Sequence, residues 1–293
     1  MRILAKIIET TVNSLETPVI ICDFSAPRGS DLGFLDDARH LDVDFILIAY
    51  NPGKSVRMDS ATVAYLIKER IGKEVIATLA TRDSNRLSIQ SNLLGASGLG
   101  LENLMVVEGD PFNETELALV KAVNDFKPTE LIRAINAMNQ GLDFKGLSFK
   151  SPTNFCVGAS IDINRGIDKQ VLIAGRKIQS GAEFFIAQPT FDIRQVQLFY
   201  DQYFSVNGRS IAQPIFWGVQ ILVENGVTFG PIPEDLAQDL KNGRDGIDIA
   251  LETFSKLKEL GIGSIYLVPP ILKGGGRNYL DAQRFIDKVK RQI

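Results

Sequence analysis

One histidine, two cysteines and one tryptophan are all that 293 residues hold of those types, and each scarcity removes a class of chemistry. His40 lies in the charged stretch DDARHLD, away from any strand-like run, so a histidine-based triad or metal cluster is excluded and no metal is expected. Cys22 and Cys156 each fall inside an apolar run. Two such thiols make neither a disulfide framework nor a zinc site, and reduced, buried cysteines are expected. Excess charge is also missing: 32 basic and 35 acidic residues give a net charge of -3, which argues against nucleic acid or a membrane surface as partner. No apolar run approaches the ~20 residues of a membrane span, and no signal peptide is recognised. A soluble, cytoplasmic protein acting on small molecules is the resulting expectation.

What is present is a repeated alternation. The stretch LMVVEGDP (104 to 111) reads as a buried parallel strand that stops at a turn and leaves the Asp110 carboxylate at its carboxyl end. Seven further runs have the same character: 18–24, 43–50, 74–81, 154–160, 183–189, 213–219 and 264–270. Helical patterns separate them, with Asp59 as an N-cap, Gly72 as a stop, Asp192 capping a helix through Tyr203, and Tyr279, Ala282, Ile286, Val289 and Ile293 forming one apolar face. Two helices, 114–124 and 128–139, are expected before the fifth strand, and 220–246 shows no steady period. Eight strands alternating with helices across 1–293, without a linker, predict a single (β/α)8 TIM barrel; an open doubly wound sheet is the alternative.

Two glycine signals fail on spacing. Gly53-Lys54-Ser55 imitates the end of a P-loop but has Ile48 where that motif requires glycine. Gly95, Gly98 and Gly100 close a helix ahead of a strand, the reverse of the dinucleotide fingerprint. Gly274 to Gly276 follow the eighth strand, as either a backbone nest for an anion or a flexible loop. In a barrel, the strand ends converge on one pocket. Asp23, Tyr50, Thr78, Thr81, Asp110, Ser160, Asp162 and Gln188 stand at those ends. Each also has a plain reading: Asp23 paired with Arg28, Asp110 capping a turn, Gln188 satisfying backbone. Two carboxylates in one mouth suit acid/base work when their surroundings separate their protonation.

Three segments together, CDFSAPRG, TRDSNRLSIQSNLLGASGLGLENLMVVEGDP and RKIQSGAEFFIAQPTFD, resemble the methylenetetrahydrofolate reductase family over essentially the whole chain. The resemblance implies a barrel that holds FAD, takes hydride from NAD(P)H and reduces 5,10-methylenetetrahydrofolate to 5-methyltetrahydrofolate, in one-carbon metabolism and methionine biosynthesis. By the same resemblance Asp23 falls at the acid and Asp110 at the carboxylate between flavin and pterin. Gln188 and Tyr50 face the folate, and Ala49, Thr78, Gly109, Asp110, Ser160, Asn164, Arg176, Lys177 and Ala182 fall at flavin contacts. Departures accompany it. Asp23 is one methylene shorter than the family's usual glutamate, Glu108 stands where arginine is common, and Ser160 and Asn164 replace an aromatic residue and a histidine. Three readings follow: a flavin-dependent reductase, a reductase fed directly by nicotinamide or by an electron-supplying partner subunit, and a non-catalytic folate-binding subunit. A homo-oligomer is compatible with each.

Overall fold

The computed structural model describes residues 6–10 and 18–291. A short helix α1 (Ile7–Thr10) is followed by β1 (Ile20–Ser25), α2 (Phe34–His40), β2 (Phe45–Ala49), α3 (Ser60–Ile71), β3 (Glu74–Ala80), α4 (Arg86–Gly98) and β4 (Asn103–Val107). Two helices, α5 (Glu114–Leu117) and α6 (Pro128–Asn139), precede β5 (Cys156–Ile161). Then come α7 (Ile167–Gln179), β6 (Phe184–Ala187), α8 (Arg194–Asn207), β7 (Ile215–Gln220), α9 (Glu234–Lys241), α10 (Gly246–Glu259), β8 (Ile265–Val268) and α11 (Tyr279–Lys290). The eight strands pair in parallel in chain order, and β1 closes on β8 through Ile20 with Ile265 and Ile21 with Tyr266. The sheet is a closed (β/α)8 barrel, not an open one.

Alternation along each strand divides the apolar residues into two layers. Ile21, Leu47, Ile76, Met105, Phe184 and Phe216 pack inside the barrel, with Ile7 added from α1. Their neighbours in sequence, among them Cys22, Ile48, Ala77, Val106, Phe185 and Trp217, pack outward against the helices. Each large aliphatic or aromatic side chain so buried contributes about 1.5–3 kcal/mol. Both cysteines are free and buried, and burial pushes the Cys22 and Cys156 thiols well above their ordinary range. Asp59 caps α3 by accepting from Thr62 N at 2.9 Å, and Gly72 ends it in the left-handed region. His40 is exposed at the end of α2, with Nδ1 2.6 Å from the Asp36 carbonyl.

The structure corrects four local expectations. The helix expected over 114–124 lasts only from Glu114 to Leu117. Beyond it the Arg82 carbonyl accepts from Val123 N at 2.7 Å and draws the chain out of the helix, leaving Leu119 86% exposed. Asp192 stands one residue before the N-cap of α8, which is Ile193. It accepts from Arg194 N and holds the Arg194 side chain, and α8 runs on past Tyr203 until Gly208 stops it. The aperiodic stretch 220–246 contains α9. Asp23, finally, pairs with an arginine other than Arg28. Ile293 lies outside the described residues.

Candidate functional site

The C-terminal ends of the strands form the mouth of the barrel, and alternation decides which side chains enter it. On β1 the inward series is Ile21, Asp23 and Ser25, so Asp23 stands one layer above the apolar plug. It is 2% exposed. Its Oδ1 accepts from the Tyr266 hydroxyl at 2.8 Å, and its Oδ2 accepts from Arg277 Nε at 2.9 Å. The Arg277 side chain is 4% exposed and also donates through Nη1 to the Gly275 carbonyl at 3.2 Å. Burial pushes the Tyr266 hydroxyl far above its ordinary pKa, and the Asp23 carboxylate beside it adds to the rise. Burial works to lower the Arg277 pKa, but Asp23 outweighs it and the guanidinium is held above its usual value. Both Asp23 oxygens therefore serve as acceptors in one buried ion-paired network.

Asp110 has opposite surroundings. It is exposed, and its carboxylate has no hydrogen-bond partner among the described residues. Its position is fixed through the backbone, because Arg82 Nη1 donates to the Asp110 carbonyl at 2.6 Å. Arg82 also binds Asp83 through Nε at 2.6 Å and Nη2 at 2.8 Å, and its guanidinium lies 4.1 Å from the centre of the Phe112 ring. Tyr50 is hydrogen-bonded to Asp83, and burial, with Asp83 close by, pushes its hydroxyl to about 12. The consecutive pair Arg82-Asp83 thus links the ends of β2, β3 and β4. Gly109 enters this turn at φ +89°, with Arg82 Cβ 3.1 Å from where its own Cβ would be. Lys54 ties the loop after β2 to the loop after β4, bonding Glu116 at 2.7 Å and the Pro111 carbonyl at 3.2 Å.

On β3 and after β6, respectively, Thr78 Oγ1 and Gln188 Oε1 are buried without a hydrogen-bond partner among the described residues. Buried polar atoms are nearly always bonded, so these two mark where a ligand's donors and acceptors are wanted. Ser160 receives the Lys177 ammonium, which reaches the Ser160 carbonyl at 2.5 Å and lies 3.4 Å from Oγ. Lys177 is 7% exposed and has no salt-bridge partner among the described residues. Burial lowers its pKa from the ordinary 10.5 to about 8, opposed by the charge of Glu108.

Ala49, Thr78, Gly109, Asp110, Ser160 and Gln188 thus meet at the mouth, with Tyr50 and the Lys177 amine at its edge. Asn164 follows the carboxyl end of β5, at the same end of the barrel, while Arg176 and Ala182 stand apart. Asn164 donates its amide to the Pro189 carbonyl at 3.0 Å. Arg176 is exposed in the last turn of α7. Ala182 is buried before β6, at the rim opposite the mouth. Arg277 and Tyr266 went unnoticed in the sequence reading. The available signals were an arginine directly after the three glycines and a tyrosine on the inward register of β8.

Lys177 gives a pH test. Its folded-state pKa is depressed, so between about 8 and 10.5 the unfolded chain binds more protons, and this group's penalty is full below about 8 and relieved as pH rises. Lys177→Met is expected to stabilise the fold by about 1–3 kcal/mol at pH 7. That gain should shrink above pH 8, as read by urea denaturation of both proteins across pH 7 to 10.

A closed parallel barrel whose polar groups converge at the strand ends defines a barrel protein with a ligand site at its mouth. The family model for methylenetetrahydrofolate reductase matches residues 12–229, and the chain belongs to that family. No curated protein matches it. Among solved structures, one described as an "uncharacterized protein from Clostridium thermocellum" that "binds two copies of 5-methyl-5,6,7,8-tetrahydrofolic acid" is similar at TM-score 0.70 and 14% identity. That similarity covers 98% of this chain and 100% of the other. Among the described residues no group of histidine, cysteine and carboxylate side chains can hold a metal, and no helix is long and apolar enough to cross a membrane.

Proposed function

We propose that the mouth binds a reduced folate and that the chain reduces 5,10-methylenetetrahydrofolate to 5-methyltetrahydrofolate, with NAD(P)H as donor and FAD as carrier, in the cytoplasm. The observation that carries the folate part is the inward pair of buried atoms without a partner among the described residues, Gln188 Oε1 and Thr78 Oγ1, at the end of the barrel where the exposed Asp110 carboxylate also stands. A pterin presents amide, amine and ring nitrogens, which can answer all three groups. The folate bound by the Clostridium thermocellum neighbour supports the same ligand class.

The residues at the mouth fit a flavin in part. Among the described residues the Thr78 hydroxyl has no partner and the hydrogen bonds of the buried Lys177 ammonium go to the neutral oxygens of Ser160, an arrangement that suits a phosphate. Ala49, Thr78, Gly109, Ser160 and Lys177 would hold the flavin, and when bound it supplies a two-electron hydride carrier between NAD(P)H and the folate. Gln188 orients the pterin, Asp110 stands at its edge with Tyr50 nearby, and Asp23 falls at the position of the acid for ring opening. For Asp23 to carry the proton, either Tyr266 or Arg277 must turn away from it.

That requirement favours a second reading: a folate-binding barrel without tightly bound flavin, fed by nicotinamide directly, by a partner subunit, or not turning over. Its specific support is the engagement of both Asp23 oxygens by donors, together with the exposed carboxylate of Glu108 beside Gly109.

Visible absorption separates the two. With FAD added, a flavin spectrum that bleaches under NADH or NADPH without oxygen is expected, and Asp23→Asn should keep that bleaching while losing folate reduction. A colourless protein that still binds 5-methyltetrahydrofolate by calorimetry would establish the second reading. Loss of all folate binding would overturn both.

A further inference from the structure

Residues 223–231, between β7 and α9, leave the barrel and return to it through one small apolar cluster. Leu222 packs there with Leu240 of α9 and Ile249 of α10, and Ile232 on the returning side packs against the same group. Gly246, at the start of α10, approaches the Leu222 carbonyl so closely that no Cβ would fit between them. Pro231 and Pro233 restrict the backbone of the returning side. With both ends fixed and near each other, the segment is an Ω-type loop.

Hydrogen bonds, rather than buried side chains, hold this loop down. Its two large apolar residues, Val227 and Phe229, are 46% and 38% exposed. On β7 the inward series is Phe216, Gly218 and Gln220, so Gln220 ends the strand inside the mouth, where it is buried. Its Nε2 donates to the Val227 carbonyl at 2.9 Å, and its Oε1 accepts from Phe229 N at 3.1 Å. One side-chain amide thus pairs with the loop backbone on both sides of Thr228, as the main chain of a neighbouring strand would.

The loop is also tied sideways. Val227 N donates to the Ile271 carbonyl, after β8, at 2.9 Å. Further along, a Cβ on Gly230 would stand 3.2 Å from Asn164 Nδ2 and 3.4 Å from the Pro189 carbonyl, after β5 and β6. The segment therefore lies against the exits of four consecutive strands, β5 to β8, half of the ring. Gln188, with its unpartnered Oε1, belongs to that half and directly precedes Pro189.

We propose that residues 223–231 are a strap closing the β5 to β8 half of the mouth, that Gln220 is its latch, and that a ligand enters when the latch releases. The inference rests on the folate reading above. Because the cluster at Leu222 and Ile232 keeps both ends in place, opening breaks a few hydrogen bonds and uncovers little apolar surface. Units held this way open far more often than the core around them. The Gln220 amide, once released, faces the mouth, where water takes up its bonds. Ligand capture then scales with the fraction of time the strap is open.

Hydrogen exchange read by mass spectrometry tests the latch in the wild type, Gln220→Leu and Gly230→Val, each checked for folding by circular dichroism. Gln220→Leu removes both latch bonds at nearly constant volume. Gly230→Val keeps Gln220 and wedges a side chain against Asn164 and the Pro189 carbonyl. In either variant the amides of 223–231 are expected to exchange roughly tenfold or more faster, while the strand amides keep their wild-type rates. Stopped-flow association of 5-methyltetrahydrofolate, followed by the ligand's fluorescence, should accelerate by a similar factor. Strap exchange unchanged in Gln220→Leu would overturn the latch, and faster exchange with an unchanged association rate would overturn the gate. Accelerated strap exchange in proteins that bind no folate would support the strap while removing the folate reading, so the two failures are told apart.

Discussion

Arg277→Ala is expected to destabilise the fold by about 3–5 kcal/mol, the usual cost of leaving one member of a buried ion pair without the other. The side chains of Arg277 and Asp23 are 4% and 2% exposed, so solvent cannot take over the missing contact. Tyr266 would still donate to Asp23, but one hydroxyl does not replace a guanidinium. Replacing both partners should cost much less than the sum of the single changes, because Asp23→Leu/Arg277→Met removes the stranded charge with its mate. Urea denaturation of the wild type, both single variants and the double variant measures the coupling. A loss under ~1 kcal/mol for Arg277→Ala would show that water reaches the pair, since exposed ion pairs contribute no more than that.

The second large effect concerns Gly218 on β7. A Cβ there would stand 2.4 Å from Pro189 N and 2.7 Å from the Ala187 carbonyl, both backbone atoms that cannot swing aside as a side chain would. The missing side chain is what allows the Gln188-Pro189 turn at the end of β6 to settle against the neighbouring strand β7. Gly218→Ala is expected to cost about 3 kcal/mol, at the upper end for overpacking. It should also weaken folate binding, because the displaced turn carries Gln188. Thermal melting and a folate titration of the same variant check both effects. A stable Gly218→Ala protein with wild-type affinity would mean that β6 and β7 separate more easily than their pairing suggests.

The strands were legible because each is a short apolar run bounded by turn residues, and eight of them in alternation with helices leave few architectures. Asp59 and Gly72 could be read as helix ends because capping is local chemistry. The placement of candidate residues at the barrel mouth was legible only where it too is local: Asp110 after a glycine, Thr78 and Gln188 toward strand ends. Arg277 was not, because its partner lies 254 residues away in sequence and only barrel closure brings them together. The shortened α5 was hidden for the same reason. Its composition suits a helix, but the Arg82 carbonyl competes for Val123 N from another loop. Ala182 shows the opposite failure, in which a matching motif carries a residue that the barrel holds at its far rim.

The seam between β1 and β8 has a kinetic consequence. Ile20 meets Ile265 across nearly the whole chain, so this pairing closes the longest loop in the molecule and bears the largest entropic delay. Until that seam forms, Asp23 has neither Tyr266 nor Arg277 and its carboxylate remains in water. Burial of the carboxylate at the mouth is therefore tied to closure of the ring: the contacts that hold Asp23 come from beyond the same seam that joins the first strand to the last.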